Sequence, residues 1–224
     1  MRISIIVPTY NEEKTIGDLL EFIEKFKAEI IIADGGSSDQ TLGIAAKCKD
    51  IIILNTCKGR AQQMNQAANI AKGAILLFLH ADCIPEHNAL DDIAACINQG
   101  YSGGCLSQRI SSHKKIFRFI EGSGNLRAKF SGIFYGDQAI FVKKDVFLSL
   151  GGFDDAEIFE DILFSKKLCR NHKVRLLKTK VYSSPRRWHE QGIIKTTLIN
   201  WLLTLGFVMG FSPKSLKKIY ADIR

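Results

Sequence analysis

The 224-residue sequence contains no Gly-x-Gly-x-x-Gly and no Gly-x-x-x-x-Gly-Lys-Ser/Thr. It therefore lacks the glycine-rich phosphate cradles of dinucleotide-binding and P-loop proteins. Its six cysteines (Cys48, Cys57, Cys83, Cys96, Cys105 and Cys169) form no Cys-x-x-Cys pair and no zinc spacing. Several fall in apolar patterns, where a reduced cysteine acts as a small hydrophobe, which points to a reducing, cytoplasmic compartment. No run of Arg and Lys is interleaved with aromatics, so no nucleic-acid partner is expected. The apolar start, Met1 to Pro8, is too short for a signal peptide and reads as a first strand. No linker, repeat or low-complexity tract divides the chain. The expected organisation is one domain over residues 1–190 with an appended tail, 191–224.

Lysine and arginine number 31 against 23 acidic residues, a formal +8 that favours anionic partners such as nucleotides and phospholipid surfaces. From Arg186 onward seven basic residues face two acidic ones. Four short apolar runs end in polar or charged residues: Ile3 to Val7, Glu29 to Asp34, Ile51 to Leu54, and Ala74 to Leu79 ahead of His80 and Asp82. Helical spacing fills the gaps. Ile16, Leu19, Leu20, Ile23 and Phe26 share one face, with Asn11 as cap and Glu12 and Glu13 as an acidic first turn. Gly35 to Asp39 turns into another helix, and a third runs from Ala61 to Lys72, closed by Gly73 as its C-terminal cap. This alternation predicts an α/β fold with a mostly parallel, Rossmann-like central sheet and right-handed crossovers. Further on the pattern predicts a strand from Gly103 to Ile110 and a basic helix from His113 to Phe130, interrupted by Gly122 and Gly124. A loop follows from Gly132 to Gln138, then a short strand Ala139 to Val142 and helices at Asp145 to Leu150 and Phe159 to Leu168.

Ligands of open parallel sheets bind beyond the carboxyl ends of the strands, where loops converge and helix N-termini point at the ligand. Asp82 would stand at that edge. Its carboxylate can hold a divalent cation against a phosphate, or His80 and Asp82 can simply cap a helix beginning near His87. The other strand ends supply Thr9 to Glu12, Asp34 with Ser37 and Asp39, and Lys58-Gly59-Arg60. Carboxylates there suit hydrogen bonds from a ribose or a base N–H. Glu160 and Asp161 open a helix, where acids also match the terminal partial charge, and Asp137 lies in a sequence that can be a plain turn.

Val7-Pro8-Thr9-Tyr10-Asn11-Glu12, Ala33-Asp34-Gly35-Gly36-Ser37-Ser38-Asp39, Lys58-Gly59-Arg60, Leu79-His80-Ala81-Asp82 and Phe159-Glu160-Asp161, in this order, resemble the family 2 glycosyltransferases of GT-A fold. The resemblance runs from Met1 to about Trp188. It implies metal-dependent transfer, with inversion, from a nucleoside-diphosphate sugar, UDP-type foremost, to a hydroxyl of a lipid-linked or saccharide acceptor, with Mn2+ or Mg2+ as cofactor. By the same resemblance Pro8, Thr9, Tyr10, Asn11, Glu12, Asp34, Gly36, Ser37 and Asp39 line the nucleoside pocket, and Lys58 and Arg60 lie beside it. His80, Ala81 and Asp82 face the diphosphate, with Asp82 as metal ligand and His80 in the place of the family's first acid. Asp161 is implied as general base, with Glu160 able to share the site, and Asp137 as an acceptor contact. Arg186-Arg187-Trp188 is similar to the end of the Gln-x-x-Arg-Trp motif of processive members, with Ser184 where Gln is usual. It implies Arg187 or Arg186 against the departing diphosphate and Trp188 near the acceptor. His189 is implied as a second metal ligand, or is a surface histidine. Two other readings stay open: a nucleotidyltransferase, whose glycine-rich loop after the first strand is missing, and a non-catalytic nucleotide-sugar-binding or assembly protein.

The tail from Ile193 to Phe211 is apolar nearly all round, with Ile194, Leu198, Trp201, Leu202, Leu205, Val208 and Met209 on one face. Its length is at the lower limit for a membrane span. Docking on the domain with partial insertion into a membrane surface, on the cytoplasmic side, is the expectation, and contact with a second subunit in a homodimer is the alternative. Ser212-Pro213 predicts the start of a final basic helix.

Overall fold

The computed structural model describes residues 1–156, 158–211 and 215–216, with the Val208 side chain left aside. Among them eight strands form one sheet: β1 (Ile3–Thr9), β2 (Glu29–Asp34), β3 (Ile51–Asn55), β4 (Ile75–Phe78), β5 (Cys83–Pro85), β6 (Gly103–Ile110), β7 (Ile140–Lys143) and β8 (Val174–Ser183). Their order is β3-β2-β1-β4-β7-β6-β8-β5. The β3-β2-β1-β4 half is parallel, as the alternating pattern requires. In the other half β7 runs antiparallel to both β4 and β6, while β6 and β8 pair in parallel. The expected α/β class is what is found, with a parallel half that carries the strand-end motifs and a mixed half beside it.

Nine helices surround the sheet within the described residues: α1 (Ile16–Ile23), α2 (Thr41–Ala45), α3 (Arg60–Ile70), α4 (Ala89–Asn98), α5 (Lys115–Ser131), α6 (Lys144–Ser149), α7 (Glu160–Asn171), α8 (Arg186–Gln191) and α9 (Ile193–Val208). Side chains alternate across a strand, so the continuous apolar runs feed two cores. Ile5, Val7, Ile30, Ile32, Ile75 and Leu77 pack against Leu19 and Ile23 of α1 and Ile93 and Ile97 of α4. Ile6, Ile31, Leu76 and Phe78 face the other way, onto Met64 and Ala68 of α3, Phe147 of α6 and Phe164 of α7. There Phe78, Phe147, Phe153 and Phe164 meet at centroid distances of 4.8 to 5.3 Å, a packed aromatic block beneath the end of β4.

Several local expectations need correction. Gly73 does not cap α3, which ends at Ile70 with Ala71 extended. A Cβ on Gly73 would lie 2.6 Å from the Ser4 amide nitrogen, so glycine is needed there for the close passage of the chain over β1. Gly122 and Gly124 do not interrupt α5, which is continuous from Lys115 to Ser131. Asn11 does not cap α1; Thr15 holds that position, and Asn11 instead bonds Ser37 and Ser38 in the loop after β2. No helix among the described residues is long and apolar enough to cross a membrane. The expected final helix lies outside the described residues, apart from Ser215 and Leu216.

Candidate active site

Because β1 to β4 are parallel, their carboxyl ends and the loops that follow share one edge of the sheet. The first two loops are stitched into one unit. Buried Asp34 accepts hydrogen bonds from Thr9 Oγ1 (3.0 Å), from the Gly36 and Ser37 amides (2.9 and 2.8 Å) and from Ser37 Oγ (2.5 Å). Asn11, at φ 56°, takes Ser38 N–H on its Oδ1 and donates its own N–H to Ser37 Oγ, each at 2.9 Å. Glu12 N–H reaches Thr41 Oγ1 (2.8 Å), Glu13 N–H reaches Asp39 (3.1 Å), and Asp39 also caps Thr41 N–H (3.0 Å). These bonds hold the Asp39 carboxyl below its usual range, against the burial that raises it. Gln63, a polar residue on the buried stripe of α3, donates to the Thr9 and Ala33 carbonyls at 2.7 Å each. It ties β1 to β2 where they end, and its place among Ala61, Met64 and Ala67 is the signal that could have found it.

Lys58 and Arg60 enter from the third loop. The Lys58 ammonium lies 3.8 Å from the centre of the Tyr10 ring, a cation–π contact at the rim of the first loop. Arg60 at the start of α3 pairs with the buried Glu160 of α7 at 3.2 Å. The two carboxylates of α7 thus do different things. Glu160 is paired with Arg60, whereas Asp161 accepts the Gly136 N–H at 2.6 Å and Ile162 N–H at 2.7 Å. Burial, with Glu160 as a like-charged neighbour, pushes the Asp161 carboxyl up to about 7.

The fourth loop faces this pair. His80 and Asp82 follow β4 in a tight turn closed by Cys83 N–H to His80 O at 3.0 Å. The imidazole lies on Gly136 so closely that a Cβ there would be 2.5 Å from Nε2, so any side chain at 136 would displace the ring. Burial and the Arg60 charge lower the His80 imidazole to about 3, so it is neutral at working pH. Ligand atoms of His80, Asp82 and Cys83 lie within 4.8 Å of one another. The Cys83 thiol is pushed far above its ordinary range by burial and by Asp82 and Asp137, so it stays protonated and is no ligand for a hard cation. A carboxylate and a neutral imidazole remain: the Asp82 carboxylate suits Mn2+ or Mg2+, while the His80 nitrogen suits Mn2+ better than the harder Mg2+.

Asp137 follows Gly136 in a short 3-10 turn, Gly136–Gln138, rather than in open loop. One of its oxygens accepts Gln108 Nε2 at 2.5 Å; the other, Oδ1, is buried without a partner. Burial raises its carboxyl despite Arg127, and Asp82 adds to the rise. Arg127 steadies the turn by donating to Gln138 Oε1 (2.9 Å) and lying 3.3 Å from the Tyr135 ring centre. Gln108 and Arg127 carried no signal in the sequence.

The three-residue β5 and the end of the ten-residue β8 bring the arginine motif to the same edge. Cys83 pairs with Ser183, and Ser184 N–H donates to Asp82 O at 3.2 Å. α8 then begins, with Arg186 3.7 Å from Glu12 of the first loop. Trp188 donates its indole N–H to Thr197 Oγ1 of α9 at 3.3 Å and packs edge-on against Phe117 of α5. His189 also faces Phe117, at 6.1 Å, and the metal-competent cluster among the described residues does not include it.

A parallel half-sheet joined to a mixed half, with acids, an imidazole and cations at its carboxyl edge, is a GT-A-type α/β fold. The model for "Glycosyl transferase family 2" matches residues 4–148, and the chain belongs to that family. Among curated relatives, the poly(ribitol-phosphate) beta-N-acetylglucosaminyltransferase TarS of Staphylococcus aureus is 34% identical over 113 residues, 46% of this chain and 20% of that protein. The Escherichia coli UDP-Glc:alpha-D-GlcNAc-diphosphoundecaprenol beta-1,3-glucosyltransferase WfaP is 41% identical over 87 residues, 36% of this chain and 35% of that protein. The matches thus span only a fifth to a third of these relatives. Two solved structures share the fold. TarS 1-349 from S. aureus with UDP-GlcNAc has a TM-score of 0.65 at 22% identity, covering 82% of this chain and 58% of that one. The mannosyltransferase PcManGT of Pyrobaculum calidifontis with GDP-Man and Mn2+ has a TM-score of 0.69 at 20% identity, covering 99% and 69%.

Proposed function

We propose that this chain is a metal-dependent inverting glycosyltransferase that moves a sugar from a nucleoside-diphosphate sugar, UDP-type foremost, to an acceptor hydroxyl. The observation that carries the reading is the meeting of Asp161, His80 and Gly136 beside Asp82, opposite the bonded loops of Thr9 to Glu12 and Asp34 to Asp39. The nucleoside lies on those loops, with Tyr10, Lys58 and the acids at its rim. Asp82 and His80 would hold Mn2+ or Mg2+, whose charge offsets that of the departing diphosphate. Arg60 would add a cationic donor there, and by the family resemblance Arg187 of α8 would add a second.

Asp161 is the general base. A carboxylate held near neutrality is matched to a hydroxyl that acidifies only as it attacks. Its lone pairs are fixed in direction by the Gly136 and Ile162 amides. The acceptor oxygen gives its proton to Asp161 and bonds to the anomeric carbon while the bond from that carbon to the diphosphate oxygen breaks, so configuration inverts in a single displacement. Asp137 orients acceptor or donor hydroxyls with its unpartnered oxygen. The diphosphoundecaprenol-linked acceptor in WfaP's name supports a lipid-linked acceptor here, which would place the protein at a membrane surface.

The test is a screen of nucleoside-diphosphate sugars by thermal shift and by release of nucleoside diphosphate, with and without Mn2+. Metal-dependent stabilisation and turnover by one donor supports the reading. Binding without transfer or hydrolysis, under any acceptor or metal, leaves a non-catalytic binding protein.

A further inference from the structure

Two helices leave an unusually apolar surface uncovered. On α9, Ile194, Leu198, Trp201, Leu202 and Leu205 are 46 to 66% exposed, and on α5 Phe119, Leu126 and Phe130 are 58 to 77% exposed. The surfaces join, because the rings of Phe119 and Trp201 meet edge-on at 6.2 Å. Isolated exposed leucines need no explanation, but a run of large apolar side chains along two adjoining helices marks a contact surface.

The charge around the surface selects its occupant. Lys114, Lys115 and Lys129 flank α5, and Lys195 flanks α9, all exposed. The sole acid within α5 is Glu121, which is buried and paired with Arg109 (2.7 Å) and Arg118 (3.3 Å), and α9 has none. Glu190 of the adjoining α8 is the exposed acid nearest this face among the described residues, and of charged residues the two helices themselves expose lysines only. An apolar face with such a cationic fringe suits the interface of an anionic bilayer, where lysine stems reach up to headgroups while aromatic and aliphatic groups enter the acyl boundary. A second copy of the chain is a poorer occupant, since a two-fold contact between these faces would bring together four lysines from each copy with at most Glu190 to meet them.

We propose that α5 and α9 together form the surface by which the protein docks on an anionic lipid bilayer, and that this docking sets the acceptor side of the site against the membrane. The inner side of α9 touches the residues next to the reacting groups. Thr204 Oγ1 bonds the Tyr135 hydroxyl at 2.8 Å, one residue before Gly136, and Phe207 packs on Phe159 at 5.1 Å, one residue before Glu160. The membrane thus lies a helix diameter from the base. A groove of about 520 Å³ opens at the cationic end, between the start of α5 and the α8–α9 junction, with Lys114, His189 and Lys195 among apolar walls of Ile116, Trp188 and Ile194. Its two lysines would lie beside a headgroup phosphate. The proposal rests on the membrane-proximal acceptor of the preceding reading, but its test uses neither donor nor acceptor and so fails or succeeds separately.

The experiment is flotation of the full chain with vesicles of phosphatidylcholine alone and of phosphatidylcholine with phosphatidylglycerol, at low and high salt. The expected result is recovery with anionic vesicles that falls with salt, and a loss of partitioning of about tenfold or more in F119N/L202N, two exposed side chains each worth more than a kcal/mol when buried. Retained circular dichroism and melting would show that the variant folds. In W188F, where Trp201 is the single indole, emission should shift to the blue with anionic vesicles. Equal recovery of variant and parent, absence of binding to any vesicle, or conversion of a dimer to a monomer by the double substitution would overturn the proposal.

Discussion

Asp161→Asn separates the two consequences of holding a carboxylate near neutrality. The carboxyl rises from an ordinary 3.8 to about 7 on folding. Between these values the folded protein retains a proton that the unfolded chain has lost, so this group lowers stability as pH rises from about 4 to 7 and by a constant amount above. The linkage relation gives a cost of about 1.7 kcal/mol near pH 5 and about 4 kcal/mol near pH 8. Asparagine bears no charge at either pH. It can still accept the Gly136 N–H; whatever it loses toward Ile162 is the same at both pH values and cancels. The variant should therefore gain about 2–3 kcal/mol on its parent between pH 5 and pH 8, or roughly 5–10 °C in relative Tm for a chain of this size. Transfer should fall by about 10²–10⁴ in kcat, with donor affinity unchanged within about twofold. Differential scanning fluorimetry at the two pH values and a turnover assay read both. A Tm difference independent of pH would refute the buried, proton-retaining base, and full turnover would remove Asp161 from the mechanism.

Glu160→Gln removes the like charge beside Asp161, so the acid limb of the kcat profile, on which activity is lost as Asp161 takes up its proton, should move to lower pH. A limb that stays or moves up contradicts the pairing. Gly136→Ala would place a methyl 2.5 Å from His80 Nε2 and 2.7 Å from Cε1. Displacement of the imidazole and the turn should cost about 10² in kcat while Tm changes little. Asp82→Asn should abolish the extra thermal stabilisation that Mn2+ adds to a bound donor, measured without turnover; undiminished stabilisation would move the cation elsewhere. Gln63→Ala strips the side-chain donor from the Thr9 and Ala33 carbonyls. The expected cost is about 1–3 kcal/mol by chemical denaturation, with a raised KM for the donor.

The parallel half of the fold was legible because β1, β2 and β4 are buried on both faces and so read as unbroken apolar runs, stopped by polar residues at the edge where ligands bind, and the half-exposed edge strand β3 keeps such a run as well. β8 lacks an unbroken apolar run: its exposed Lys178, Lys180 and Tyr182 alternate with buried Leu177, Thr179, Val181 and Ser183, the pattern of a half-buried strand that a search for apolar runs passes over, and β5 is three residues long. Gly73 looked like a helix cap because sequence shows glycine without showing what passes beside it. Asp82, Glu160 and Asp161 could be placed at the edge from motif order alone. The division of labour between the two acids could not, because it depends on Arg60, a hundred residues away. The same holds for Gln108 with Asp137 and for His80 with Gly136, contacts made by the antiparallel return of β7 between β4 and β6.

A single displacement at the anomeric carbon, with Asp161 as base beside the Asp82 edge, fixes the anomer of the product. The most direct test is proton NMR of an α-linked nucleoside-diphosphate sugar incubated with the protein and Mn2+, following the first sugar signal that appears, with acceptor or with water as its substitute. Initial formation of the β-anomer, lost in D161N, is the predicted result. Initial release of the α-anomer, or no consumption of any nucleoside-diphosphate sugar under these conditions, would contradict the account.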